Sequence, residues 1–247
     1  DLIEVGANFE QAMTTVSAIR GTLDPSDLAA LSTEARRLGA STAYTATQAA
    51  EGMQQLARAG FTVNEMANMT GPALYFAGAN AVTMDMSTKL LASSMKQFGL
   101  NSRETTRVLD TFTVATQNSL FDVESLAVAM RYGGSVGASF NRSLEETVAV
   151  MSAFRDLGLE GSMVGTRFRQ AMLSLSNPTR AAQEALRNLK IDLADVNPAI
   201  VGATEAIRNL GKAGAISPEQ LAPIVSKRAA GSVSKLAKEL AEALSPD

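Results

Sequence analysis

The 247-residue chain is 46% apolar but only 5% aromatic and lacks Trp, so its core must be built from Ala, Leu, Val and Met, a composition that favours packed helices over strands. Its 22 basic and 25 acidic residues are interspersed, giving a formal net charge of −3 and no basic excess for neutralising nucleic-acid phosphates. Cys and His are both absent, which removes disulfides, thiol nucleophiles, imidazole bases and zinc sites built on either residue.

From Asp1 the sequence reads as a fragment, with no basic segment leading into an apolar run and hence no visible signal peptide. The first amphipathic stripe is Phe9, Met13, Val16 and Ile19. Asp24-Pro25 then has the form of a helix start, a cap followed by proline at the first helical position. A second stripe, Leu28, Leu31, Ala35 and Leu38, runs into Leu38-Gly39-Ala40-Ser41. That is the first of four similar marks in which an apolar residue precedes Gly and a helix-starting residue follows, the others being at Gly60, Gly99 and Gly158. Gly beyond a helix end adopts the left-handed conformation that other residues resist, so each mark is expected to end one helix and aim the next.

Helix starts are marked by capping boxes, in which a Ser, Thr or Asn side chain and a Glu or Gln three residues on bond reciprocally to the backbone. They are expected at Thr45/Gln48, Thr62/Glu65, Asn101/Glu104, Ser143/Glu146 and Ser217/Gln220, the last with Pro218 at its first position; Asn197-Pro198 repeats the cap-then-proline form. Met66 to Met84 carries no charge, but Pro72, Gly71, Gly78 and Asn80 interrupt it, and a buried, broken helix pair is expected there rather than a membrane span. The carboxylate pairs Asp24/Asp27, Asp122/Glu124 and Glu145/Glu146 all sit where helices begin, which favours capping over acid–base catalysis. Tyr132 to Gly137 has no Lys-Ser/Thr in phosphate-loop spacing; its small residues are read as a close helix approach or a kink. A third stripe is Val148, Met151, Phe154 and Leu157. Lys227-Arg228 reads as a solvated face or helix-end charge, and Val233, Leu236, Leu240 and Ala243 trace a short apolar seam.

Sliding Thr45–Phe61 by 98 positions aligns it without a gap on Ser143–Leu159, either as a trace of duplication or as two capped helices of one length. The expected architecture is all-α, roughly ten to thirteen short helices, with a helical core over 1–211 and a C-terminal helical segment over 212–247 that packs on the core or leads into a longer helix. No catalytic, cofactor-binding or metal-binding residue is assigned.

In order along the chain, Phe9–Met13, Ala35–Thr42 and above all Ala49–Phe61 (AAEGMQQLARAGF) resemble the core region of the phage tail tape measure family. Ser143–Thr147, Gly161-Ser162 with Gly165-Thr166, Asn177–Thr179 and Lys227–Ala230 follow in the family's order, so the resemblance covers about residues 9 to 240. The chain departs from the family at Tyr132–Ser135, where bulkier apolar residues are usual. The resemblance implies a non-enzymatic virion component acting in tail tube assembly and length determination, inside the tail and, during assembly, in the bacterial host cytoplasm. Its implied partners are the tail tube protein and tail assembly chaperones; self-association is left open and no specific nucleic acid is expected. A membrane-active delivery domain is the alternative reading, and a cell-wall hydrolase a lower one.

Overall fold

The computed structural model describes residues 2–214 and 217–243, and among these the regular structure is entirely helical. The α-helices are α1 (Leu2–Ile19), α2 (Pro25–Ser41), α3 (Ala46–Arg58), α4 (Val63–Ala79), α5 (Met84–Phe98), α6 (Thr105–Asn118) and α7 (Val123–Ser139). They continue as α8 (Leu144–Asp156), α9 (Gly161–Ser176), α10 (Arg180–Asn188), α11 (Pro198–Val201), α12 (Ala203–Lys212), α13 (Pro218–Val225) and α14 (Lys227–Glu242). Fourteen helices are thus described, close to the expected number, and one of them, α11, is a single turn. The chain divides into two compact units, Asp1–Thr113 and Val114–Asp247.

Recurrent connectors set the helix lengths. Four residues join α3 to α4, α4 to α5, α7 to α8 and α8 to α9. In each, the second residue is left-handed, at Gly60 (φ 83°), Ala81 (52°), Asn141 (55°) and Gly158 (85°). The fourth is the N-cap of the next helix, at Thr62, Thr83, Ser143 and Glu160. At Gly60 the amide of Phe61 donates to Leu56 O (3.1 Å) and that of Gly60 to Ala57 O (3.0 Å), the paired bonds that satisfy the last carbonyls of a helix. The same pairs form at Ala81 and Asn141. Gly99, also left-handed, ends α5 as expected.

Gly39 corrects the sequence reading. Helix α2 continues through it to Ser41, and a Cβ there would lie 2.5 Å from the backbone nitrogen of Ala46. The glycine is there because the start of α3 packs against it, not because the helix ends.

The boxes at Thr45, Thr62, Asn101 and Ser217 form reciprocally, although the one at Asn101 opens a 3-10 turn, Ser102–Glu104, ahead of α6. Asp24 occupies the N-cap before Pro25 without a side-chain bond, and Asn197 accepts from Ala199 N (2.9 Å). The Ser143 box is only half made: Ser143 Oγ accepts from Glu146 N (3.0 Å), but the Glu146 carboxylate accepts instead from Ala203 N (2.6 Å). The N-cap of α12 is Gly202, which has no side chain to offer, and Glu146 supplies the missing acceptor from α8.

In the first unit α3 lies among α1, α2, α4 and α5. Its buried face presents Ala49, Ala50, Gly52, Met53, Leu56 and Ala57, and a Cβ on Gly52 would run into the Met84 side chain of α5. Polar cross-links reinforce this packing: Gln54 Nε2 donates to Ala12 O (3.1 Å), Gln55 Nε2 to Asp85 Oδ1 (2.6 Å) and Ser87 Oγ to Ala73 O (2.7 Å). Phe76 and Phe112 meet edge to face with centroids 6.3 Å apart.

In the second unit α7 packs closely on α9. A Cβ on Gly133 would sit 2.9 Å from Gly165 O, and one on Gly165 would collide with Ala129 O and with Tyr132 Cβ at 2.7 Å. The small residues of Tyr132–Gly137 therefore serve a close approach, and α7 runs unbroken past them. Phe154 and Phe168 are fully buried in this unit, each contributing roughly 1.5–3 kcal/mol by the usual scale for large apolar side chains. Helix α14 packs on α12 and α13, burying Ala229, Ala230, Val233, Leu236 and Ala237.

The shift of 98 also carries Pro25–Ser41 onto Val123–Ser139 and Ala46–Arg58 onto Leu144–Asp156, end to end. A shift of 60 carries Val63–Ala79 onto Val123–Ser139 equally well. The internal likeness therefore follows from one recurring module, a helix of 13 to 17 residues closed by a four-residue connector.

Replacing Gly60 with Val puts a β-branched residue at φ 83° where no neighbouring atom interferes, so the loss is pure backbone strain, ~1–3 kcal/mol. Replacing Gly165 with Ala forces α7 and α9 apart and costs about 1–3 kcal/mol through overpacking. Denaturant titration measures both, and an unchanged midpoint for either variant removes the corresponding contact or conformation from the account.

Capping also predicts acid lability. Hydrogen bonds from Thr62 hold the Glu65 carboxyl below its ordinary range, and those from Ser125 do the same for Asp122. A carboxylate whose pKa is depressed by folding adds stability that is complete above its unfolded pKa and is lost as pH falls through the folded value. Stability should thus decline as pH drops through and below the ordinary carboxylate range of about 4. Glu65→Gln with Asp122→Asn should flatten that decline; an identical pH profile would contradict it.

Candidate functional site

The carboxylates singled out by the sequence lie at helix starts. Asp24 and Asp27 begin α2, and Glu145 and Glu146 lie in the first turn of α8, where Glu146 also reaches across to α12. Asp122 caps α7, its Oδ1 accepting from Ser125 N (2.7 Å) in a reciprocal box that the sequence reading did not specify. Among the described residues no group of three or more His, Cys, Asp or Glu could hold a metal ion.

The Met66–Met84 stretch forms most of α4, the turn at Ala81 and the first residue of α5. Met66, Met69, Thr70, Ala73, Leu74, Phe76 and Ala77 are buried within the first unit. Among the described residues no helix is long and apolar enough to cross a membrane. Lys227 and Arg228 are exposed in the first turn of α14.

Among the described residues each unit carries an open groove beside exposed apolar side chains. In the first, Pro72, Tyr75, Phe76 and Ala79 of α4 face Thr106, Leu109, Asp110 and Thr113 of α6 around about 380 Å³. In the second, Leu173, Ser174 and Asn177 stand beside Thr179, Ala222, Pro223 and Ile224 of α13, and Ser226 around about 390 Å³. The shift that aligns Gly60 with Gly158 also places Tyr75 on Leu173, Phe76 on Ser174 and Ala79 on Asn177, so both grooves lie against one register of the recurring module. Tyr75 is 63% exposed and Leu173 44%, so each groove has a large apolar side chain facing water at its edge. Asp110 is the one carboxylate lining either groove, so neither contains the carboxylate pair that hydrolytic acid–base chemistry requires. Sequence reasoning did not find these grooves; a large apolar residue off the buried stripe, such as Tyr75, was the available signal.

The family described as phage-related minor tail protein matches residues 32–243, nearly the whole array of helices. A tape measure protein of Pneumococcus phage Dp-1 is 35% identical over 208 residues, which cover 84% of this chain and 18% of that protein. A probable tape measure protein of Escherichia phage P2 is 31% identical over 195 residues, 78% of this chain and 24% of the relative. The chain thus spans about a fifth of the length of these curated relatives. On the extent of these matches, the chain belongs to the phage tail tape measure family, as a region of the phage-related minor tail protein type.

Proposed function

We propose that this region is a non-enzymatic assembly domain of a tape measure protein, acting in tail tube formation and length determination as a folded body rather than as a stretch of ruler. The observation that carries this reading is the spacing of its turns. A helix rises ~1.5 Å per residue, and a ruler uses that rise best when unbroken. Here left-handed residues at 60, 81, 99, 141 and 158 end helices within five turns, and the short helices bury their faces on one another. Function in this reading lies in presented surfaces, and the tail tube protein and tail assembly chaperones are its proposed partners. Its place is the tail interior after assembly and the host cytoplasm before it.

Deletion of Thr45 to Gly60 separates a folded body from a ruler. The deletion removes α3, against which α1, α2, α4 and α5 pack. A folded assembly domain predicts scarce or malformed tails, because several apolar faces lose their partner. A contour-length ruler predicts abundant tails shortened by about 24 Å, from 16 residues at 1.5 Å each. Electron micrographs of tails from the deletion strain measure number and length together, and the second outcome would refute the assembly-domain reading.

A further inference from the structure

The junction between α13 and α14 is assembled from elements that each oppose it. Ser226, the one residue between the two helices, has φ 88° and ψ 147°, a region that essentially only glycine occupies without strain. The same backbone conformation recurs between α11 and α12, where the residue is Gly202 (φ 94°, ψ 161°). Ser226 gains nothing visible in exchange: it is exposed, and its side chain makes no capping bond to α14. The first turn of α14 then carries Lys227 and Arg228, placing positive charge at the positive end of the helix dipole, with no acid in that turn. On the other side, Pro223 within the last turn of the eight-residue α13 removes a backbone donor.

We propose that the α13–α14 junction is a strained hinge from which α14 is released as a unit while α7, α8 and α9 stay folded. Opening relaxes Ser226 to negative φ and frees the first turn of α14, which carries the exposed Lys227 and Arg228 against the helix dipole, to fray. It also uncovers the stripe Ala229, Val233, Leu236 and Ala237, buried in the closed form chiefly on α12 and α13, with α14 also touching α9 and α8. Packing of that stripe holds the hinge shut, and the strain at Ser226 lowers the cost of opening. Serine at this position keeps the closed and open forms nearer in free energy than glycine would.

Native-state hydrogen exchange followed by mass spectrometry tests the hinge in the whole chain. In the unaltered protein, peptides from α14 should exchange through an opening more frequent than the one that exposes α7 and α9. Ser226→Gly removes the strain, partly offset by the greater freedom of glycine in the open form, and should slow exchange in α14 by about fivefold with α7 and α9 unchanged. Ser226→Ala keeps the strain and should match the unaltered protein. Lys227→Glu with Arg228→Glu, which complements the dipole instead of opposing it, should slow α14 in the same direction by a separate route. Release is refuted if α14 exchanges only with α7 and α9. Strain at Ser226 is refuted if Ser226→Gly leaves α14 unchanged or speeds its exchange, or if Ser226→Ala slows it as much as Ser226→Gly.

Discussion

The left-handed residue in the connector is the constraint on which the remaining structure depends. A helix cannot reverse direction in four residues unless its last carbonyls find donors, and at Gly60, Ala81 and Asn141 the residue at positive φ turns its own amide and the next one back to them. Once that turn is closed, the fourth connector residue is already placed to cap the following helix. Helix length, helix direction and the side on which the next apolar stripe emerges are therefore set together at Gly60, Ala81, Asn141 and Gly158. Connectors of equal length, four residues each, also explain why two different sequence shifts overlay helices end to end.

Close packing is the second consequence. Short helices with few aromatic side chains bury enough apolar surface only by approaching closely. That approach is bought with glycine on α7 and α9, where Gly133 and Gly165 lie where any Cβ would meet backbone. Polar groups are then enlisted to hold crossings that packing alone does not fix. Ser87 donates to Ala73 O across α4 and α5, and Glu146 of α8 caps the amide of Ala203 at the start of α12. A carboxylate that the local pattern assigns to its own helix thereby ties together elements 57 residues apart.

Much of this was legible from local chemistry, and the misreadings have specific causes. Gly60, Gly99 and Gly158 were readable as helix ends because glycine, an apolar neighbour and a capping residue coincide there. Ala81 and Asn141 do the same work without glycine; the clue available in the sequence was the N-cap two residues later, at Thr83 and Ser143. Gly39 carried the same local signal as Gly60 and meant something else, since its smallness answers to Ala46 across a turn rather than to its own φ. The grooves beside Tyr75 and Leu173 were signalled only by a large apolar residue off the buried stripe, such as Tyr75, because each is made by helices whose juxtaposition no local pattern specifies.

The central claim is that left-handed turns, formed at non-glycine residues such as Ala81 and Asn141 as well as at glycines, cut this chain into short helices. Backbone chemical shifts and HN–Hα couplings across residues 56 to 104 and 136 to 162 test it most directly. The account predicts helical shifts broken at each connector, with positive φ at Ala81 and Asn141 as well as at Gly60, Gly99 and Gly158. Helical shifts running without interruption from α4 through Ala81 into α5, or from α7 through Asn141 into α8, would contradict it.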